Sequence, residues 1–302
     1  VRERRACLTC RAPEADDTSS DRADRSATQQ DHGVFDEVIP VLADPRQGSA
    51  PVMVAVRSRR GARIVEGAVN APDGGESRID GGIWEAMGDR RPHRTLAQRS
   101  NVLPPTPQLY EAVWRRRSLS LLSPRRFPIE EELGEMCAVT EPGRGGLAVD
   151  VACSEGLYAR ELARLGMSVV AVDHSRPFLR RVVQRSDRWS RRVSPVRALA
   201  QHLPLTDSSV DVVVMGGSLN EVGDQRRAVH ELGRVLAPGG RWFLMCLLPA
   251  SRPVGRLAQT VVGPSGITFP DRDTVERWCA EAGLRVTYGA VDGVVLRLGG
   301  DR

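Results

Sequence analysis

The chain has 302 residues, 41% of them hydrophobic, with a formal net charge of +5 and a sequence pI near 9.2. That length buries a sizeable core and leaves room for an added module. No apolar run reaches the roughly 20 residues of a membrane helix, and the charged start Arg2, Glu3, Arg4, Arg5 lacks the apolar core of a signal peptide, so a soluble, cytoplasmic protein is expected.

Residues 1–106 read as an accessory region that is partly disordered. Its first 33 or so residues are polar, with one Cys-x-x-Cys at Cys7 and Cys10. Weak β-like segments follow at 38–42, 52–57 and 62–65. Gly and Pro punctuation then predicts loops or a partly ordered linker over 71–106. Residues 107–144 read as a helical cap or linker, with Leu109, Val113, Leu119, Leu121 and Leu122 as candidate buried positions. Pro124, Pro128 and Pro142 divide it into short helices.

The better pattern occupies 145–302. It opens with Leu147-Ala-Val-Asp-Val-Ala-Cys-Ser-Glu-Gly156, then a helical segment, then Val169-Val-Ala-Val-Asp173. That is an apolar strand, a small-residue turn, a helix and a second strand ending in a carboxylate, the first half of a nucleotide-binding βαβ unit. Small residues let backbone N–H groups approach a ligand at the positive end of the helix. The carboxylate can accept hydrogen bonds from both hydroxyls of a ribose. An arginine-studded helix is expected over 176–192, a strand at 194–199, and an apolar strand at 212–215 after Leu203-Pro-Leu-Thr-Asp-Ser-Ser-Val-Asp211. Asp224 caps a helix with Val229, Leu232, Val235 and Leu236 on its apolar face. Pro238-Gly-Gly240 ends it and a strong strand runs 241–248. A last helix over 273–282 stops at Gly283, and a hairpin follows around Val291-Asp292. Alternating strands and helices predict an open, mostly parallel sheet.

In these residues the chain resembles the class I S-adenosylmethionine-dependent methyltransferases. Asp150-x-Ala152-x-Ser154-x-Gly156 resembles the family's Gly-rich first motif, and Asp173 stands where its ribose-binding acid would be. Leu203-Pro204 to Asp211 and Arg234-Val-Leu-Ala-Pro-Gly-Gly240 resemble two later motifs. The resemblance covers about half the chain, roughly 145–300. It implies a Rossmann-like α/β fold, with a mostly parallel seven-stranded sheet that ends in an antiparallel hairpin. A small N-terminal β/helical accessory region stands beside it. The upstream layout resembles UbiE-like methyltransferases of plastid type, with a degenerate zinc-ribbon-like start. The large-subunit rRNA guanine-N1 methyltransferases share that layout.

The resemblance implies S-adenosylmethionine as cofactor, held by Asp150, Ala152, Cys153, Ser154, Gly156, Asp173, His174, Leu199, Ala200 and Gly216. It implies methyl transfer to O, N or C of a small-molecule acceptor, secondary-metabolite or quinone-like. Asn220 and Glu221, after the fourth strand, are the candidate catalytic residues, as acceptor contact and base. A plain strand-to-helix loop is the simpler account of both. The departures are Ala152 and Ser154 where glycine is usual, and Leu199 where an acid often meets the adenine amine. His202 and His230 have no recognisable partner for nucleophilic catalysis.

Structural zinc needs four ligands. With Cys7 and Cys10 as the one visible pair, and Asp31 and His32 as polar substitutes, no metal site is expected. The six cysteines, Cys137, Cys153, Cys246 and Cys279 among them, do not suggest a disulfide framework. All 43 basic residues counted as Lys or Arg are arginine. Clusters at Arg115–Arg117, Arg125–Arg126 and Arg180–Arg181 are interleaved with acids and poor in aromatics, which favours a solvated surface over RNA. The alternatives are an rRNA base methyltransferase, or a cofactor-binding protein of this fold without methyl transfer. The sequence leaves the oligomeric state open.

Overall fold

The computed structural model describes residues 33–44, 52–88, 90, 128–143, 145–184, 192–251 and 253–302. Cys7, Cys10, Asp31 and His32 lie outside the described residues, as does most of the expected 107–144 cap.

The framework is parallel: β6 (Leu147–Val151), β7 (Ser168–Asp173), β8 (Val193–Arg197), β9 (Val210–Gly216) and β10 (Leu236–Leu247). Their order is β8-β7-β6-β9-β10, all parallel pairs. Strands covered on both faces lose the polar alternation of a half-exposed strand. The run Val169, Val170, Ala171, Val172 follows that rule, and every residue of β7 is buried. Helices α2 (Leu157–Arg164) and α3 (Arg176–Gln184) supply Ala159, Leu162, Leu179 and Val182 to one face. On the other face, α4 (Gln225–Val235) and α6 (Arg272–Glu281) supply Val229, Leu232, Val275 and Cys279. Helix α1 (Ile129–Thr140) packs Met136 and Cys137 beside the first group. As expected, Asp224 caps α4, its carboxylate accepting the Arg227 N–H at 3.0 Å.

The C-terminal hairpin joins β11 (Arg285–Asp292) to β12 (Val295–Asp301), and β12 pairs antiparallel with β10. The turn falls at Gly293 and Val294 rather than at Val291-Asp292, and the positive φ of Gly293 (61°) accounts for the shift. Helix α5 (Pro253–Val262) fills the connection from β10 to α6, a segment the sequence pattern leaves unassigned.

The larger correction concerns the N-terminal half. Residues 33–90 continue the same sheet through β1 (Val34–Phe35), β2 (Met53–Arg60), β3 (Arg63–Asn70), β4 (Glu76–Asp80) and β5 (Ile83–Glu85), giving twelve strands in all. Two strands thus stand at 76–85, where loops are expected. Residues 36–41 form a 3-10 turn rather than a strand, with Val38 buried. Strand β5 pairs parallel with β8 through Trp84↔Val196 and Glu85↔Arg197. Trp84 is fully buried, and its indole N–H donates to Ser77 Oγ at 2.8 Å. The long-range ladder and this side chain make the strand, not local β-propensity. Among the described residues no helix is long and apolar enough to cross a membrane.

Candidate functional site

The carboxyl ends of β6, β7, β8 and β9 meet at one edge of the sheet, where an open α/β sheet offers its ligand crevice. The turn after β6 bends sharply around Ala152 (φ 55°), Ser154 (φ 51°) and Gly156 (φ 74°). All three occupy the left-handed region. The turn keeps the left-handed backbone that glycine favours although Ala152 and Ser154 carry side chains, at a cost of about 1–2 kcal/mol for each Cβ. Asp150 ends up buried, its Oδ2 accepting the Ala159 N–H at 2.9 Å, so it fixes the start of α2. At Gly156 a Cβ would be strained by the positive φ and would stand a tight 3.2 Å from Val182 Cγ2.

Asp173 ties the crevice together. Its Oδ2 accepts the Ser154 N–H at 2.9 Å and its Oδ1 the Ser175 N–H at 2.7 Å. The His174 N–H adds a third backbone bond; a carboxylate has about four acceptor sites, so capacity remains for a ribose hydroxyl. Burial raises its pKa above the ordinary carboxylate value, against the opposing pull of His174 and the backbone N–H groups. His174 Nδ1 lies 3.6 Å from Asp173 Oδ1. Its Nε2 is buried with no hydrogen-bond partner among the described residues, a polar atom that a bound nucleoside would satisfy. Leu199 is half-buried and Ala200 buried, in the loop after β8. These residues fit an adenosyl ligand.

Cys153 belongs to the site by its backbone alone. Its side chain packs into the core with Tyr158 and Leu179, and its N–H donates to Val172 O. Burial, then the charges of Asp150 and Asp173, pushes its thiol well above the usual range, so it carries no reactive thiolate. Gly216 is required by packing: a Cβ there would meet the Tyr158 ring at 2.7 Å. Tyr158 in turn donates to the buried Glu132 of α1 at 2.6 Å.

Asn220, expected as an acceptor contact, has its side chain engaged in structural hydrogen bonds. It is 2% exposed. Its Nδ2 donates to Leu247 O at 2.8 Å and Thr268 O at 2.7 Å, and its Oδ1 accepts the Leu247 N–H at 2.7 Å. The amide is consumed in fastening the loop after β9 to the end of β10 and to the segment that follows α5. Glu221 lies next to it, half-buried on a 3-10 turn. Ser218 Oγ donates to Ala152 O at 3.1 Å, joining this loop to the turn after β6.

Two of the recognised motifs form one brace. Arg234 donates to Leu203 O (3.0 Å), Leu205 O (2.8 Å), Asp207 Oδ1 (2.7 Å) and both oxygens of Glu231, while Glu231 Oε2 also accepts the Leu203 N–H. The brace shapes the loop between β8 and β9 from behind. His202, on that loop, has its pKa lowered by burial and then by Arg90 and Arg227. Among the described residues no cluster of three His, Cys, Asp or Glu is arranged to hold a metal ion.

A family profile described as a methyltransferase domain matches residues 149–244. The chain is 31% identical over 165 residues to a demethylmenaquinone methyltransferase of Clavibacter sepedonicus, covering 47% of this chain and 67% of that protein. It is 34% identical over 140 residues to an uncharacterized chloroplastic methyltransferase of Arabidopsis thaliana, covering 44% of this chain but 39% of the relative. An S-adenosylmethionine-dependent methyltransferase structure from Mesorhizobium loti superposes with a TM-score of 0.50 at 18% identity, over 58% of this chain and 98% of that one.

Proposed function

This chain belongs to the class I S-adenosylmethionine-dependent methyltransferases, and from that premise we propose that it binds S-adenosylmethionine at the carboxyl edge of β6 and β7 and methylates a small, quinone-like acceptor. The observation that carries the reading is Asp173: a buried carboxylate at a strand tip, holding the turn with one oxygen and retaining acceptor capacity toward the crevice. When bound, the sulfonium would supply an electrophilic methyl carbon to the acceptor's lone pair, with the neutral thioether as the leaving group.

The protein's own contribution is placement. Asp173 accepts a ribose hydroxyl, His174 faces the nucleoside, and the left-handed turn at 152–156 brings backbone within reach of the methionine portion. Gly217 (φ 76°) and Ser218 turn the chain over the crevice after β9. No nucleophilic side chain is called for, because orientation supplies much of the rate. Glu221 is the candidate to take a proton where the acceptor is still protonated. The quinone-like acceptor is supported by the likeness to the Clavibacter protein.

Calorimetric titration with S-adenosylmethionine and S-adenosylhomocysteine tests the cofactor half of this reading. Binding by the wild type and its loss in Asp173→Ala is the expected result; equal binding by both would refute the assigned pocket. A panel of demethylated quinones, phenols and RNA then tests the acceptor, and methylation of RNA alone would overturn the small-molecule assignment.

A further inference from the structure

The cofactor crevice is braced from outside the methyltransferase domain by one carboxylate of the N-terminal sheet. Glu85, Arg197 and Asp173 occupy a single row across three adjacent parallel strands, since Glu85 pairs with Arg197 and Arg197 pairs with Asp173. Residues in one row of a sheet project to the same face, so the acid of β5 is aligned with the ribose acid of β7.

The contacts follow that alignment. Glu85 Oε1 accepts from Arg176 Nη1 at 2.6 Å and Glu85 Oε2 from Arg197 Nη1 at 3.0 Å. Arg197 Nε reaches past the row to donate to the His174 carbonyl at 2.9 Å. Arg176 opens α3, three residues beyond Asp173, and its other terminal nitrogen donates to Asp80 at 2.7 Å. The loop 173–176 is therefore gripped at its middle and at its end by two guanidiniums that share one carboxylate. The Glu85 side chain is 14% exposed, so solvent screens the arrangement only in part.

We infer that Glu85 is a positioning residue for the cofactor, setting the loop that carries Asp173, and that the N-terminal sheet is thereby an integral part of the cofactor site. The inference rests on the assignment of Asp173 to the ribose. It requires that loss of the Glu85 charge disturb ribose recognition in particular, because the peptide whose His174 carbonyl Arg197 holds is the one whose Ser175 N–H donates to Asp173 Oδ1.

The test uses the full chain, with S-adenosylhomocysteine and its 2′-deoxy analogue as ligands in calorimetry. The wild type should prefer the ribose form, since the missing hydroxyl leaves a buried acceptor unpaired. In Glu85→Gln, affinity for S-adenosylhomocysteine should fall about tenfold, and the preference for ribose over 2′-deoxyribose should shrink toward one. A loss from general destabilisation would weaken both ligands equally and leave the preference intact, which overturns the inference. Arg197→Met removes the link to His174 while leaving Glu85 its bond from Arg176 and should reproduce the lost preference, so it decides the matter if Glu85→Gln does not fold. A wild type that binds neither ligand refutes the cofactor assignment itself. A wild type that binds both with a preference unchanged in the two variants refutes the positioning role alone.

Discussion

The two flanks of the sheet are fastened to its centre by different forces. At the C-terminal flank, β12 pairs with β10 continuously from Arg241↔Asp301 to Leu247↔Val295. At the N-terminal flank, β5 meets β8 through two residue pairs; buried Trp84, the Glu85–arginine bracket, the Phe35 N–H on Ser194 Oγ and two backbone bonds between residues 41–43 and 204–206 add to the attachment. A ladder of backbone hydrogen bonds tolerates many sequences. A joint that leans on one buried indole and a cluster of charged side chains tolerates fewer. The N-terminal flank should thus be the part of the sheet most easily separated by mutation.

Trp84→Ala is the strongest way to break that contrast. Removing a fully buried indole should cost about 3–5 kcal/mol, measured as a fall in the denaturant midpoint. Amide exchange should speed up in β3 to β5 while β10 and β12 stay protected; uniform loss of protection would show that the flanks are equally bound. The C-terminal flank has its own weak point at Gly300, where a Cβ would lie 1.9 Å from Arg285 O. Gly300→Ala should destabilise by about 1–3 kcal/mol and loosen β11 while β3 to β5 keep their protection.

Between the flanks lies the cofactor edge, where the effects are smaller and chemical. Asp173 accepts a hydroxyl as a carboxylate, and burial raises its pKa. Affinity for S-adenosylhomocysteine should therefore decline as pH falls through that raised value, by up to about tenfold per unit below it. Asp173→Asn should bind weakly and without that pH dependence; a persistent dependence would assign it to another group. The smallest effect concerns the turn. Ala152→Gly and Ser154→Gly each relieve a left-handed side chain and should stabilise the apo protein by about 1 kcal/mol, seen as a raised melting temperature.

How much of this was legible in sequence varies with the range of the interactions. The turn at 152–156 and the brace of Arg234 on Leu203 and Leu205 are local devices that demand particular residue types, and they stand out as motifs. The role of Asn220 does not, because its partners are the backbones of residues 247 and 268, distant in sequence. Its chemistry marks it as a candidate ligand contact, but the fold uses it as a fastener. Strands β4 and β5 are illegible for a related reason. The first is mostly polar (Glu76, Ser77, Arg78, Ile79, Asp80) and the second has three residues, so pairing partners alone define them. Glu85 carries no signal until Arg197 and Arg176 are brought beside it.

The cations of the Glu85 bracket are both guanidiniums, in a chain whose 43 Lys-or-Arg residues include no lysine. A guanidinium keeps its charge at any pH a cell experiences. It also offers nothing to acetyl, ubiquityl or other amine-directed modification of side chains. A lysine in either place would have let a cell neutralise the brace covalently and so adjust the cofactor site. With arginine at 176 and 197, that amine-directed route is closed to the bracket.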